Sequence, residues 1–395
     1  MKIALALERF SPFAGGVEAY AVSLAQTLIN HGWELHLFGH SWNNEPAGAI
    51  FHYIPRLPKL VPSSIKMLSF ALHHRKMVES MDFDVVMGFG NTIYMDVYQS
   101  HGGVHYYSTR RKIAAIENPI VRALKFISAA STPKYHVRAW IEGAAFRMKK
   151  RPLIIAISQM VREDMSRYFH VPEDEIILVY NGVDHSRFLS IDAEMVTQLR
   201  LEMGFQQEIL YLFMAYDLRK KGIHYLLQAA SALKQEEGSA CFGIVVVGGK
   251  PSSHLKRQVT NLGLDGKVFF AGPTTQPEMY FSACDVLVLP TFYDACSLVV
   301  FEAMAAGDPV ITTKFNGAGG VIKQGENGFV LDAPQDVVAL AQAMTRFLDR
   351  DFLHRASQSA KETSLEYGLQ KNHFKMLEVF NKVASARSGR SQALE

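Results

Sequence analysis

Two carboxylates, Asp294 and Glu302, stand eight positions apart in the stretch LPTFYDACSLVVFEAMAAGDPV (289–310). The run from Leu298 to Ala306 keeps one apolar face and breaks at Gly307 and Pro309, which predicts a helix; residues 310–313 predict a strand. Asp294 then falls in the loop before the helix and Glu302 one turn inside it. In an α/β domain that loop lies on the side where the sheet opens a ligand crevice. A glycosidase pair must flank its sugar linkage, and these two acids come from a single short segment. They are better suited to accepting hydrogen bonds from hydroxyls, Asp294 from a sugar ring and Glu302 from a ribose. The plainer alternatives are a solvated helix acid for Glu302 and an acid stabilised near a helix start for Asp294.

Cations and glycines with complementary chemistry occur elsewhere. Arg219, Lys220 and Lys221 sit where a loop runs into a helix in MAYDLRKKGIHYLLQA (214–229), placed either to neutralise a diphosphate or simply to form a charged turn. A fork and a point charge together suit a diphosphate leaving group. Gly15 and Gly16 follow the first strand, where missing side chains let backbone N–H groups and a helix N-terminus face an anion, or merely make a tight turn. Neither the dinucleotide fingerprint nor a GxxxxGK[ST] loop is present, which weighs against NAD and against ordinary NTP hydrolysis. His101 and His105, in the loop QSHGGVH (99–105), and Glu8, after the first strand, are candidates for contacts with an acceptor or a transferred sugar. No metal is expected. The DFD at 82–84 precedes a strand at the edge remote from the crevice, the histidines show no ligand spacing, and His73-His74 reads as helix surface.

These residues need a scaffold of alternating elements. Residues 2–7 form an apolar strand, 17–30 a helix and 33–38 a second strand, a β-loop-α-β unit of a parallel doubly wound sheet. Further strands are expected at 84–89, 153–157 and 176–180. After a polar stretch, 185–207, the alternation restarts with a strand at 209–215, a helix at 222–231, and strands at 242–248, 268–271, 286–289 and 310–312. Two α/β domains with a hinge near 181–205 follow. The expected division is 1–184, with a basic helical segment at 104–152, then 185–364, a closing helix at 365–384 and a flexible tail at 385–395.

The chain has 395 residues and a formal net charge of only +3. Residues 104–152 carry eleven Lys or Arg and two acids, Glu117 and Glu142, so the local balance is +9 and the remainder is about −6. Ile, Phe, Trp and Tyr are interleaved with that charge, which fits a solvated face or an interfacial patch on anionic lipid or a phosphorylated glycolipid. No recognition module for nucleic acid accompanies it. Cys241, Cys284 and Cys296 form no ligand set or paired framework, which suits a reducing compartment. The N-terminus reads as a buried strand and not a signal peptide, and no apolar run is long enough to span a bilayer. A cytoplasmic protein, peripheral on the inner membrane face, is expected.

Taken together, PFAGGVE (12–18), YNGVD (180–184), RKKG (219–222), DACSLVVFEAMAAGDPVI (294–311) and NGAGGVIKQGENGFV (316–330) resemble the retaining nucleotide-sugar glycosyltransferases of the two-lobed group that includes sucrose, glycogen and lipopolysaccharide-core enzymes. DVYQSHGGVH (96–105) and FYDACS (292–297) are similar to the branch that adds glucose to the heptose region of lipopolysaccharide core. The resemblance implies a GT-B architecture: two Rossmann-like domains facing a central cleft, the second binding the nucleotide sugar, and a last helix crossing back to brace the first. It implies that Glu302 holds the ribose and Asp294 the donor sugar. Arg219 and Lys221 would clamp the diphosphate. Backbone amides around Ser297, Leu298 and Val299 would meet it at a helix N-terminus, and Gly16 would close over it. The sequence departs from the pattern at Asp294, where Glu is usual, at Tyr216, where an arginine is common, and at Gly320, where many members carry Glu.

The expected activity is metal-independent retaining transfer of a hexose, glucose, from a UDP-sugar to a glycolipid or oligosaccharide acceptor of lipopolysaccharide core, without a cofactor. Two other classes fit parts of the pattern: a nucleotide-sugar epimerase of the same shape, and a non-catalytic sugar-nucleotide sensor. The basic 104–152 segment argues against the epimerase, which needs no acceptor groove.

Overall fold

The computed structural model describes residues 1–11, 15–43, 46–236 and 242–391. The chain forms two compact units, one of Met1–Tyr180 with Asn372–Glu395 and one of Asn181–Lys371. The chain thus leaves the first unit after Tyr180, ahead of the expected boundary, and re-enters it at Asn372.

The first unit is built on β1 (Lys2–Ala6), β2 (Arg9–Phe10), β3 (Glu34–Gly39), β4 (Ser41–Trp42), β5 (Ile50–Tyr53), β6 (Val85–Gly88), β7 (Val97–Gln99), β8 (Leu153–Ala156) and β9 (Ile176–Leu178). Seven of them form a parallel sheet in the order β5-β3-β1-β6-β7-β8-β9, and β2 pairs with β4. Strands covered on both faces are apolar throughout and not alternating, which is why KIALA reads so plainly as a strand. Helix Gly16–Asn30 buries Tyr20, Ala21, Leu24, Ala25 and Leu28 at helical spacing against this sheet. Met376, Leu377, Phe380 and Ala384 of the last helix, Leu369–Ser391, join the same core. The closing helix therefore packs back onto the first domain. It also contradicts the expected tail, since residues 385–391 continue the helix.

The second unit carries β10 (Ile209–Ala215), β11 (Phe242–Gly248), β12 (Val268–Gly272), β13 (Val286–Leu289), β14 (Val310–Thr313) and β15 (Gly328–Leu331), all parallel, in the order β12-β11-β10-β13-β14-β15. Its core centres on Tyr211, Phe213, Phe242 and Phe347, each 0% exposed. Fully burying an aromatic of this size contributes about 1.5–3 kcal/mol. The polar stretch before β10 is helical over Ser186–Leu189 and Ala193–Glu202. Strands β5, β7 and β15 escaped the sequence reading because runs of three or four residues (IFHY, VYQ, GFVL) are too short to show a period.

The expectation that His74 lies on the surface is wrong. Helix Ser63–Glu79 buries Phe70, Ala71, His74 and Val78 on one face, and His74 is 0% exposed with its ring edge-on to Phe38 at 5.5 Å. Residue type suggested a solvated side chain, but its position four residues after Phe70 placed it in the core. His73 is exposed.

Candidate functional site

In the second sheet the chain runs from β10 outward through β11 and β12, then returns to β13 on the other side of β10. The chain leaves β10 and β13 toward opposite edges of the sheet, which makes this the topological switch point where α/β sheets bind ligands. Loop 216–222 carries the basic cluster and loop 290–297 carries Asp294. They are laced together: Phe292 N–H donates to Lys220 O at 3.1 Å, and Thr291 Oγ1 donates to the same Lys220 O at 3.5 Å. Gly222 makes this approach possible. Its φ is +85°, and a Cβ there would lie 2.1 Å from Pro290 O, so no other residue fits without moving the backbone.

The two chemistries expected from sequence meet here. Lys221 Nζ pairs with Asp294 Oδ2, both groups about a quarter exposed or less. Asp294 is held from both sides of its own backbone: its N–H donates to Phe315 O at 2.9 Å, and its carbonyl accepts from Gly317 N–H at 2.8 Å. Its second oxygen, Oδ1, accepts from Cys296 N–H at 3.3 Å. Arg219 is exposed and lines a shallow depression with Tyr216, Asp217, Lys250 and Ser252, apart from the Lys221–Asp294 pair. Lys220 turns back to Asp217 as a charged turn.

Glu302 lies in helix Leu298–Ala306, which ends at Gly307 with φ +103°. It does not face solvent unpartnered: Arg187 Nη1 donates to Glu302 Oε1 at 2.6 Å. The Ser297 side chain does not cap this helix, so the amides of Leu298 and Val299 have no acceptor within the helix. The Ser297 amide is already used, donating to Asn316 Oδ1 at 3.3 Å. Asn316 is 1% exposed and is itself held by Thr312 Oγ1 at 3.1 Å. Asn181 is also buried, with Nδ2 donating to Cys296 O at 2.9 Å. Arg187, Asn316 and Asn181 were missed as site residues, although both asparagines lie in quoted motifs, because polar residues beside glycines read as turn formers.

The first unit's candidates gather at its own switch point, between β1 and β6, and after β7. Gly15 and Gly16 begin helix Gly16–Asn30, and Pro12, Phe13 and Ala14 of the same motif lie outside the described residues. A Cβ on Gly15 would meet Glu18 Oε2 at 2.7 Å, so a first-turn acid already lies over this helix N-terminus. Glu8 is exposed. His101 contacts Gln99 Oε1 through Nε2 at 3.1 Å, and burial pulls its pKa down to about 3. His105 opens helix His105–Ala114, where its backbone N–H donates to both oxygens of Glu142 at 3.0 Å. Burial, helped by Arg138, Lys112 and Lys134, lowers the imidazole to about 4, so it is neutral at pH 7. One of the two acids in the basic segment is thus an internal cap. Glu142 is 5% exposed, and burial pushes its carboxyl up to about 7.

Among the described residues, no group of three His, Cys, Asp or Glu could hold a metal ion. Asp84 of the DFD accepts from Lys2 N–H at 2.7 Å, a structural use. Cys284 and Cys296 are buried free thiols, and Cys241 lies outside the described residues.

Two family models match the chain: "Glycosyltransferase Family 4" over residues 14–187 and "Glycosyl transferases group 1" over residues 200–363. An uncharacterised glycosyltransferase of Methanocaldococcus jannaschii is 30% identical over 220 residues, 54% of this chain and 55% of that protein, so the chain spans about half the length of this relative. The lipopolysaccharide glucosyltransferase WaaG of Escherichia coli K12 is 23% identical over 90% of this chain and 92% of its own length. A WaaG crystal structure superposes with a TM-score of 0.77 at 19% identity, covering 96% of this chain and 99% of that one. Anabaena HepE in complex with UDP-glucose gives a TM-score of 0.68 at 17% identity over 98% and 100%. The motifs, the paired Rossmann-like units and the returning helix agree with these matches: the chain has the GT-B fold, and its two halves are similar to the family 4 and group 1 glycosyltransferase models.

Proposed function

We propose that this chain is a metal-independent retaining hexosyltransferase that moves glucose from a UDP-sugar to a sugar of lipopolysaccharide core. The observation that carries the reading is the Lys221–Asp294 pair at the switch point of the second sheet, with the Glu302 helix opening beside it. An acid that accepts from sugar hydroxyls is held next to a cation that can follow the departing diphosphate. Lys221, Arg219 and the Leu298 and Val299 amides stabilise the charge that develops on that diphosphate, each worth roughly 2–4 kcal/mol if comparable to other oxyanion donors. Asp294 orients the sugar and Glu302 the ribose. The acceptor hydroxyl approaches on the face the diphosphate leaves, giving retention, with the leaving phosphate taking its proton. His105 and His101 contact the transferred sugar or the acceptor, Glu8 contacts the acceptor, and Gly15 and Gly16 contact the diphosphate. The HepE structure with UDP-glucose supports the choice of donor, and WaaG supports the choice of acceptor.

The enzyme works at the cytoplasmic face of an anionic membrane, held there by residues 104–152. Helix Pro119–Ser131 supports this: none of its residues is buried, and Ile120, Leu124 and Ile127, 62–71% exposed, line one face at i, i+4, i+7, with Arg122 and Lys125 on the other side of the helix. Among the described residues no helix is long and apolar enough to cross a membrane. A screen of nucleotide sugars against core oligosaccharide acceptors, with mass detection of product, tests the activity. Transfer from UDP-glucose with an α-linked product in the presence of EDTA is expected. Product from another donor only, or an inverted linkage, refutes the assignment.

A further inference from the structure

The acid at position 302 is held by a residue outside the motif that pointed to it. Arg187 lies in the short helix Ser186–Leu189 and places its guanidinium between two carboxylates. Nη1 donates to Glu302 Oε1 at 2.6 Å and Nη2 to Glu278 Oε2 at 2.9 Å. Glu278 belongs to helix Pro277–Ala283 and Glu302 to helix Leu298–Ala306, so one planar cation ties three helices of the second unit together. The side chains are 36%, 25% and 18% exposed for Arg187, Glu278 and Glu302, a partly desolvated cluster open on one side.

We propose that Arg187 is the positioning residue of the donor site, fixing Glu302 so that its carboxylate reads a ribose diol. The proposal rests on the assignment of Glu302 to the donor ribose. An ionised carboxylate offers about four acceptor positions on two oxygens and no donor. Arg187 occupies one of them and, being a fork also anchored on Glu278, sets the plane of the group. The remaining positions accept from a pair of hydroxyls and find no partner in a sugar that lacks them. Two acids and one cation leave this corner with a net negative charge, so a phosphate in place of either hydroxyl is repelled. Arg187 therefore confers selectivity for an unmodified cis-diol without touching the diol itself.

The test measures calorimetric affinity of the full-length chain and its variants for a nucleoside diphosphate and for its 2′,3′-dideoxy form. The probe is whichever of UDP, ADP and GDP the native chain binds most tightly. Arg187→Ala is expected to weaken the ribonucleotide roughly tenfold, the scale of one charge-assisted hydrogen bond, and to leave the dideoxy form unchanged. Arg187→Lys, which keeps the charge but cannot span both acids, should recover part of the loss. In the Glu302→Gln background, Arg187→Ala should have no further effect. Equal loss for both ligands overturns the proposal, because that is what a merely structural role produces, and so does no loss for either. If Arg187→Ala does not fold, Arg187→Lys and Arg187→Gln carry the same comparison. A native-like affinity in Glu302→Gln, or no binding of any of the three diphosphates by the native chain, overturns the donor assignment itself and is read separately.

Discussion

Replacing His74 by Leu should stabilise the first unit, and stabilise it more at pH 5 than at pH 7.5. His74 is 0% exposed, and neither ring nitrogen has a hydrogen-bond partner among the described residues. Burial alone lowers its pKa from 6.5 to about 4. A folded-state pKa below the unfolded one means that the unfolded chain takes up the proton first. The contribution to stability is intact above pH 6.5 and is lost as pH falls from 6.5 toward 4. At pH 5 the imidazole is protonated in the unfolded chain and neutral in the folded one, which costs about 2 kcal/mol relative to pH 7.5. A second contribution does not depend on pH: a buried polar group without a partner costs roughly 1–3 kcal/mol, and leucine of similar volume removes that cost. Trp33, Trp42 and Trp140 are the chain's three tryptophans and all lie in the first unit, so their fluorescence follows that unit in urea. The expected result is a higher midpoint for His74→Leu at pH 7.5 and a gap wider by about 2 kcal/mol at pH 5. His101, His105 and His373 are also lowered by burial and titrate in both proteins, so only the difference between the two curves counts. Parallel loss of stability in the two proteins between pH 7.5 and 5 would refute the reasoning.

Glu142→Gln tests the opposite sign: its carboxyl is raised from 4.5 to about 7, so its contribution is present below 4.5 and disappears as pH rises through 7. The glutamine variant should gain up to about 3 kcal/mol on native protein between pH 4.5 and 8 in the same assay, and a constant difference argues against a buried acid. Asp294→Asn should lower turnover by far more than it weakens binding of the nucleoside diphosphate, read as kcat against calorimetric Kd, because its assigned partner is the sugar. Arg219→Ala and Lys221→Ala should each reduce kcat/KM by roughly two orders of magnitude while EDTA leaves activity intact, and a requirement restored by Mn²⁺ or Mg²⁺ rules out a cation-only clamp. Changing Lys149, Lys150 and Arg151 to Gln should reduce sedimentation with anionic vesicles, as raised salt does, at about 1 kcal/mol or less per charge, and spare turnover on a short soluble acceptor.

Sequence alone was enough for whatever depends on neighbours along the chain. Strands such as ILYLFMA at β10 and FGIVVVG at β11 are uniformly apolar because helices cover both faces, and that composition survives in one dimension. Helix 298–306 is bounded by its own breakers, Gly307 and Pro309, so its limits and the place of Glu302 within it were legible. What only the tertiary structure decided is which partner each polar side chain takes. Lys221 and Asp294 lie 73 positions apart, and Arg187 and Glu302 115; they meet because the sheet order puts β13 beside β10 and the chain returns past both. His74 and Glu142 carry side chains that read as solvated, yet the faces of the helices they stand on turned them inward. Burial then shifted their titration in opposite directions, since it disfavours the charged form of each: the cation of one and the anion of the other.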